Sequence, residues 1–133
     1  ELPALRALAR TGVHVEAADR RMPRPEYYQR CASAWIVWSP EGRGWQCFRH
    51  LEAAACGAVP LMNRPTIRQH EPLVEGVHCL YYEPGPRGLA DAILAALADK
   101  PRLARIAEAG RRHVLAHHTH ATICDRILAE IET

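Results

Sequence analysis

Residues 34–63 read AWIVWSPEGRGWQCFRHLEAAACGAVPLMN, and this stretch decides the fold. The unbroken apolar run Ala34 to Trp38 predicts a buried strand of the parallel type, which is covered on both faces and needs no alternation. A turn with two glycines, Gly42 and Gly44, follows Ser39. Trp45 to Cys56 then reads as a helix, Gly57 as its stop, and Ala58 to Met62 as a second apolar strand. Strand, loop, helix, strand is the repeating unit of an open α/β sheet, whose ligands sit at the carboxyl ends of its strands. The loop from Pro40 to Trp45 is therefore the first place to expect chemistry.

On the amino-terminal side, Leu2, Leu5 and Leu8 recur at helical spacing before Thr11-Gly12, and Val13 to Ala17 alternates as a strand does. Asp19 to Pro25, rich in charge and with two prolines, predicts a loop. Pro25 then suits the first turn of a short helix through Cys31 that carries Tyr27 and Tyr28. On the carboxyl side, Arg64 to Gly76 is a long connection with room for one helical turn, and long connections in compact domains are often functional. Val77 to Tyr82 reads as a strand. Leu89, Ala92, Ile93, Ala96 and Leu97 mark the inner face of a helix, and Pro101 opens the next, with Leu103, Ile106, Ala107, Gly110 and Val114 inward. A last helix from about Ala121 groups Ile123, Ile127, Leu128 and Ile131. Alternating strands and amphipathic helices predict one Rossmann-like α/β domain over 1–133, a parallel sheet flanked by helices with a helical C-terminal segment.

The 133 residues, 48% hydrophobic and 24% charged, suit one soluble globular domain with a real core. A formal net charge of +2 is too small for a nucleic-acid footprint but compatible with a few phosphates. No apolar run reaches membrane-spanning length. Cys31, Cys47, Cys56, Cys79 and Cys124 are scattered and form no CxxC pair, so neither a disulfide framework nor a zinc knuckle is expected, and a cytoplasmic setting is the simplest. The chain starts at Glu1 without Met or a leader-like segment, and is expected to be a fragment of a longer protein.

On the central helix, Phe48, Leu51 and Ala55 share the face expected to pack on the sheet, with Arg49 and Glu52 together on its flank. Glu52 can accept hydrogen bonds from ribose hydroxyls, while Arg43, Arg49 and free amides of the first turn can hold a diphosphate. The alternative, equally compatible with the spacing, is a surface ion pair worth a few tenths of a kcal/mol. His113 and His117, four apart, with His118 and His120 nearby, could share a metal. Without a carboxylate at matching spacing, a solvated or capping role is the stronger expectation. His14, His50, His70 and His78 are isolated in sequence.

Gly44, Arg49, Glu52-Ala53-Ala54, Gly57 and Val59-Pro60-Leu61 together resemble the donor-binding signature in the C-terminal domain of GT-B glycosyltransferases of the group 1 type. Val74 to Tyr82 (VEGVHCLYY) and the closing pattern Ala107 to Arg111 with His118-Thr119 are similar to that family as well. The resemblance runs from Tyr28 to the end. It implies the second half of a GT-B fold, from a two-domain enzyme whose N-terminal domain binds the acceptor. The donor, a nucleotide-diphosphate sugar, would meet Gly42, Arg43, Gly44, Arg49, Glu52 and Thr66. Glu52 would take the ribose, and Arg64 to Arg68 would border the sugar. Many retaining members carry a second glutamate eight positions before this one, where this chain has Gly44.

The catalytic residue, the acceptor (sugar, lipid or protein), the base and the stereochemical outcome are not specified by these residues. No metal and no cofactor beyond the donor is implied, and neither nucleic acid nor a membrane span is expected. The isolated domain is expected to bind donor without turnover, and to form a homodimer where Ile127 and Ile131 lose the cover of the missing domain. The competing readings are a sugar-nucleotide epimerase domain of the same architecture, a non-catalytic nucleotide-binding or interaction module, and a metal-binding regulatory domain using His113, His117 and His120.

Overall fold

The computed structural model describes residues 2–18 and 20–133. Glu1, and Asp19 of the expected loop, lie outside the described residues. Among the described residues the elements run α1 Leu2–Ala9, α2 Arg24–Ser33, β1 Ile36–Trp38, α3 Phe48–Ala55, β2 Val59–Met62, β3 Leu80–Tyr81, α4 Gly88–Leu97, α5 Lys100–His117 and α6 His120–Ile131. The three strands form one parallel sheet in the order β1-β2-β3. The central strand β2 is wholly buried. Its side chains alternate between the two faces, as a pleated strand requires.

On one face, Val59 and Leu61 join Leu5 and Leu8 of α1, Leu89 and Ile93 of α4, and Leu103 and Ile106 of α5. On the other, Met62 meets Trp45, Ala54, Leu73, Cys79 and Val114. The long helix α5 therefore serves both clusters, its first half one and its last turns the other. A parallel sheet covered by helices on both sides is the predicted architecture. No described helix is long and apolar enough to cross a membrane.

Pro60 lies in the middle of β2, where a proline costs a ladder hydrogen bond unless its nitrogen faces an unpaired position. Val59 N–H donates to the Trp35 carbonyl and Ser39 N–H to the Leu61 carbonyl, so odd positions bond towards β1. The Pro60 nitrogen thus faces β3, whose register with β2 begins only at Leu61 and Leu80. The proline sits where the ladder has not started.

Several expectations are corrected here. Val13 to Ala17 forms no strand: β1 hydrogen-bonds to β2 only among the described residues, and Val13 and Val15 reach the core by side-chain packing instead. A cavity of about 660 Å³ lies between this segment, α1 and β1. As an edge strand β1 is half-buried, not the fully buried strand its apolar run predicts. The connection after β2 contains no helical turn, and β3 is shorter than Val77 to Tyr82 because Gly76 to His78 form a turn. Pro25 at the start of α2, Pro101 at the start of α5 and the inward faces of α4 and α5 stand as expected.

Gly110 lets α5 touch the chain entering β3. A Cβ added there would lie 2.6 Å from the His78 carbonyl oxygen, closer than any real methyl. Helix propensity alone would make Gly110→Ala stabilising by about 1 kcal/mol. The packing reverses the sign, and chemical denaturation should find the variant less stable by about 1–3 kcal/mol. Equal or greater stability would show that α5 and β3 can separate freely.

Candidate functional site

The loops that leave β1 and β2 emerge at the same end of the sheet, and α3 starts between them. Its start is Phe48, not Trp45. Trp45 is instead buried in the loop, where its indole N–H donates to the Asn63 carbonyl at 2.9 Å. The Asn63 side chain accepts the Glu41 N–H at 2.9 Å. One residue at the end of β2 thereby ties down both ends of the glycine loop. Inside that loop the Gly42 N–H donates to the Gly44 carbonyl at 3.1 Å.

Beneath the loop lies a polar chain. His50, only 2% exposed, places Nδ1 at 2.7 Å from the Ser39 hydroxyl and Nε2 at 2.7 Å from the Trp45 carbonyl. A carbonyl only accepts, so Nε2 carries the proton and Nδ1 accepts from the serine. The imidazole is neutral, because burial depresses its pKa and Arg49 lowers it further, against the opposing effect of the Trp45 carbonyl. The Trp45 and His50 rings pack at 4.7 Å. His50 is thus no isolated histidine but the pin between β1, the loop and α3.

The buried face of α3 is His50, Ala53 and Ala54, and Phe48 is 83% exposed, contrary to the expected packing of Phe48 on the sheet. Ala53 and Ala54 are fully covered, and their small side chains let the helix lie close to β2. Phe48 and Glu52, one turn apart, fall on the opposite side. The helix stops as predicted at Gly57, with φ 85°. Ala58 N–H bonds to the Ala53 carbonyl and Gly57 N–H to the Ala54 carbonyl, a Schellman cap that favours glycine at this left-handed position.

The proposed donor-site residues come together in part. Gly42, Arg43 and Gly44 are exposed in one loop, beside an α3 N-terminus that no side chain caps and whose first turn holds no acid. Arg49 is exposed one turn in. Glu52 is half-buried and accepts a hydrogen bond from the Tyr28 hydroxyl of α2 at 3.3 Å. Arg49 and Glu52 form no ion pair with each other, so the surface-pair alternative is not realised. Thr66 is exposed in the loop after β2. Arg64 in that loop is engaged by Glu75 at 3.2 Å and Glu83 at 2.9 Å.

Five histidines gather behind the same loop. His113 and His118 both direct Nε2 at the Glu71 carbonyl, at 2.9 and 2.8 Å. His78 stacks on His113 at 4.2 Å, His117 lies 4.8 Å from His113, and His70 lies 6.2 Å from His118. Among the described residues no group of three or more His, Cys, Asp or Glu is placed to hold a metal. His70 and His78, isolated in sequence, join this cluster; His120 stands at the start of α6.

Sequence reasoning missed Ser39, His50, Trp45 and Asn63. A usable signal was present in the run of three alanines after Glu52, which marks the closely packed face of α3 and places His50 on it.

A family model described as glycosyl transferase-like matches residues 5–129. No curated protein matches the chain. Among solved structures, the chain is similar to the C-terminal domain of a glycosyl transferase group 1 family protein (LpcC) from Francisella tularensis. The TM-score is 0.60 at 17% identity, over 86% of this chain and 60% of that one. This chain therefore spans less than two-thirds of the length of that structure. At this identity the likeness speaks for the fold alone.

The burial of neutral His50 has a pH consequence. Its folded pKa lies below the unfolded imidazole value of 6.5, so its contribution to stability is complete above that value and is lost as pH falls through the folded one. Denaturation midpoints should drop on acidification below about pH 6.5. His50→Leu should be about 2–4 kcal/mol less stable near neutrality, with the Trp45 carbonyl left unpaired and Ser39 left only its weak contact with the Cys47 thiol, and should show a shallower pH dependence. An unchanged midpoint for His50→Leu would remove the pin from the argument.

Proposed function

The chain belongs to the glycosyl transferase-like family, and from that membership we propose that it binds a nucleotide-diphosphate sugar as donor for transfer to an acceptor. The carrying observation is the arrangement at the carboxyl ends of β1 and β2: an uncapped helix N-terminus, a two-glycine loop, and Arg43 and Arg49 outside any ion pair among the described residues. Backbone N–H groups and the positive end of a helix attract a diphosphate, and open sheets place their ligands at this edge.

Chemically, breaking a sugar–phosphate bond builds negative charge on the departing nucleoside diphosphate. The first-turn amides of α3, with Arg43 and Arg49, would stabilise that charge more in the transition state than in the ground state. Glu52 has two oxygens, one already accepting from Tyr28, and has acceptor capacity left for the ribose hydroxyls. The Tyr28 bond holds the carboxylate in place before the ligand arrives. Thr66 and its neighbours in the loop after β2 would border the sugar. Ile123, Ile127, Leu128 and Ile131, all exposed on α6, would be covered by an acceptor-binding domain, or by a second copy where that domain is lacking.

The test is a calorimetric or NMR titration with UDP, GDP and ADP, beside Glu52→Ala verified as folded by circular dichroism. One diphosphate should bind, with shifts centred on Gly42 to Glu52. The substitution should weaken it by about 1.5–3 kcal/mol, roughly 10- to 150-fold in Kd. A variant that binds as tightly as the parent would remove Glu52 from the site. Silence from all three nucleotides would overturn an autonomous donor site.

A further inference from the structure

The histidines behind the loop after β2 differ in the state their hydrogen bonds require. His113 and His118 donate from Nε2 to the Glu71 carbonyl, which they can do whether neutral or protonated. His78 must accept: its Nδ1 takes the Val74 N–H at 3.1 Å, so that nitrogen bears no proton. The three rings thus grip the segment Glu71 to Val74 at both ends. Glu71 itself is held at φ 43°, a left-handed conformation uncommon for a residue with a side chain. Between the grips, Leu73 is buried in the cluster with Trp45 and Met62. A crevice brings Gln69, Glu71 and Leu73 against Trp45, Gln46 and His50, so the segment bears directly on the base of the glycine loop.

We propose that this cluster is a proton-operated latch: neutral His78 holds the loop of residues 63–74 in the conformation that borders the donor site, and protonation of His78 releases it. The donor-site half of this statement rests on the reading given under Proposed function. Protonated His78 has no lone pair on Nδ1, so the Val74 N–H would face another N–H. The new cation would also lie 4.2 Å, ring to ring, from His113. The titratable groups that face His78 are His113 and His117 of α5; those that face His118 are His113, His70 and His117. No carboxylate is among them. Burial first, and then His113 and His117, hold the His78 pKa below the ordinary imidazole value of 6.5. The latch is therefore closed above that value and opens as pH falls through the folded one.

The experiment measures amide hydrogen exchange of Val74, the amide that the His78 ring accepts, corrected for its intrinsic rate, between about pH 5.5 and about pH 7.5, where imidazoles titrate. The parent is compared with His78→Asn, whose side-chain oxygen supplies an acceptor that does not titrate, and with His78→Leu, which has none. UDP, GDP and ADP are titrated at the same pH values. The parent should lose protection on acidification, by up to about tenfold per pH unit for one linked proton. His78→Asn should hold its protection flat, and His78→Leu should be unprotected throughout. Diphosphate affinity should follow the same pattern. A pH-independent parent, or His78→Asn as pH-sensitive as the parent, overturns the latch. If exchange behaves as expected and no diphosphate binds, the latch stands and the donor reading falls. If a diphosphate binds and exchange ignores pH, the reverse holds. Should His78→Leu fail to fold, the asparagine variant decides alone.

Discussion

A single buried imidazole fixes the geometry on which the candidate site depends. His50 receives the Ser39 proton on one side and gives its own to the Trp45 carbonyl on the other, both at 2.7 Å. Those partners belong to the end of β1 and to the glycine loop, while His50 itself is on α3. Three pieces of chain that could move independently are therefore held by one rigid ring. An unpaired buried polar group costs about 1–3 kcal/mol, so each partner is strongly selected once the others are in place. Burial keeps the ring neutral, and in that state Nδ1 is free to accept from the serine.

The surrounding packing is consistent with that constraint. Asn63 repeats the tie from the neighbouring strand, accepting from Glu41 and Trp45. The alanines of α3 let the helix sit on β2 without a bulky spacer, and the Gly57 cap turns the chain directly into that strand. At this edge Arg43 and Arg49 stay exposed, beside a half-buried carboxylate steadied by Tyr28. Rigid elements carry the frame, and the polar groups left over are concentrated at one edge.

Much of this was legible in the chain. The apolar run of β2, Gly57, Pro101 and the inward faces of α4 and α5 report strong, local preferences, and each stands where those preferences put it. The failures share a cause. The run 13–17 has the alternation of a strand, yet pairing is a property of two segments and only one is visible locally. Helical spacing groups Phe48 with Leu51 and Ala55, although close helix-to-sheet approach favours Ala53 and Ala54. Ser39, His50 and Asn63 are polar residues whose partners lie 5 to 22 positions away in sequence, across element boundaries that no periodic rule spans. Histidines 70, 78, 113 and 118 converge only once α5 has crossed behind β3. Glu52 and Arg49 stand on the helix as their spacing requires, but their freedom from each other became visible only with Tyr28 beside the carboxylate.

Pro60 carries a further consequence, for the chain before it folds. The segment Ala58 to Met62 is apolar and fully buried in the folded protein and, in an unfolded molecule, the kind of sequence that stacks with copies of itself. Stacked intermolecular strands need an N–H at every position on both edges. The proline withholds one, and in the native sheet the loss falls where β3 has yet to begin. The residue thus acts as a gatekeeper against aggregation at small cost to the folded state.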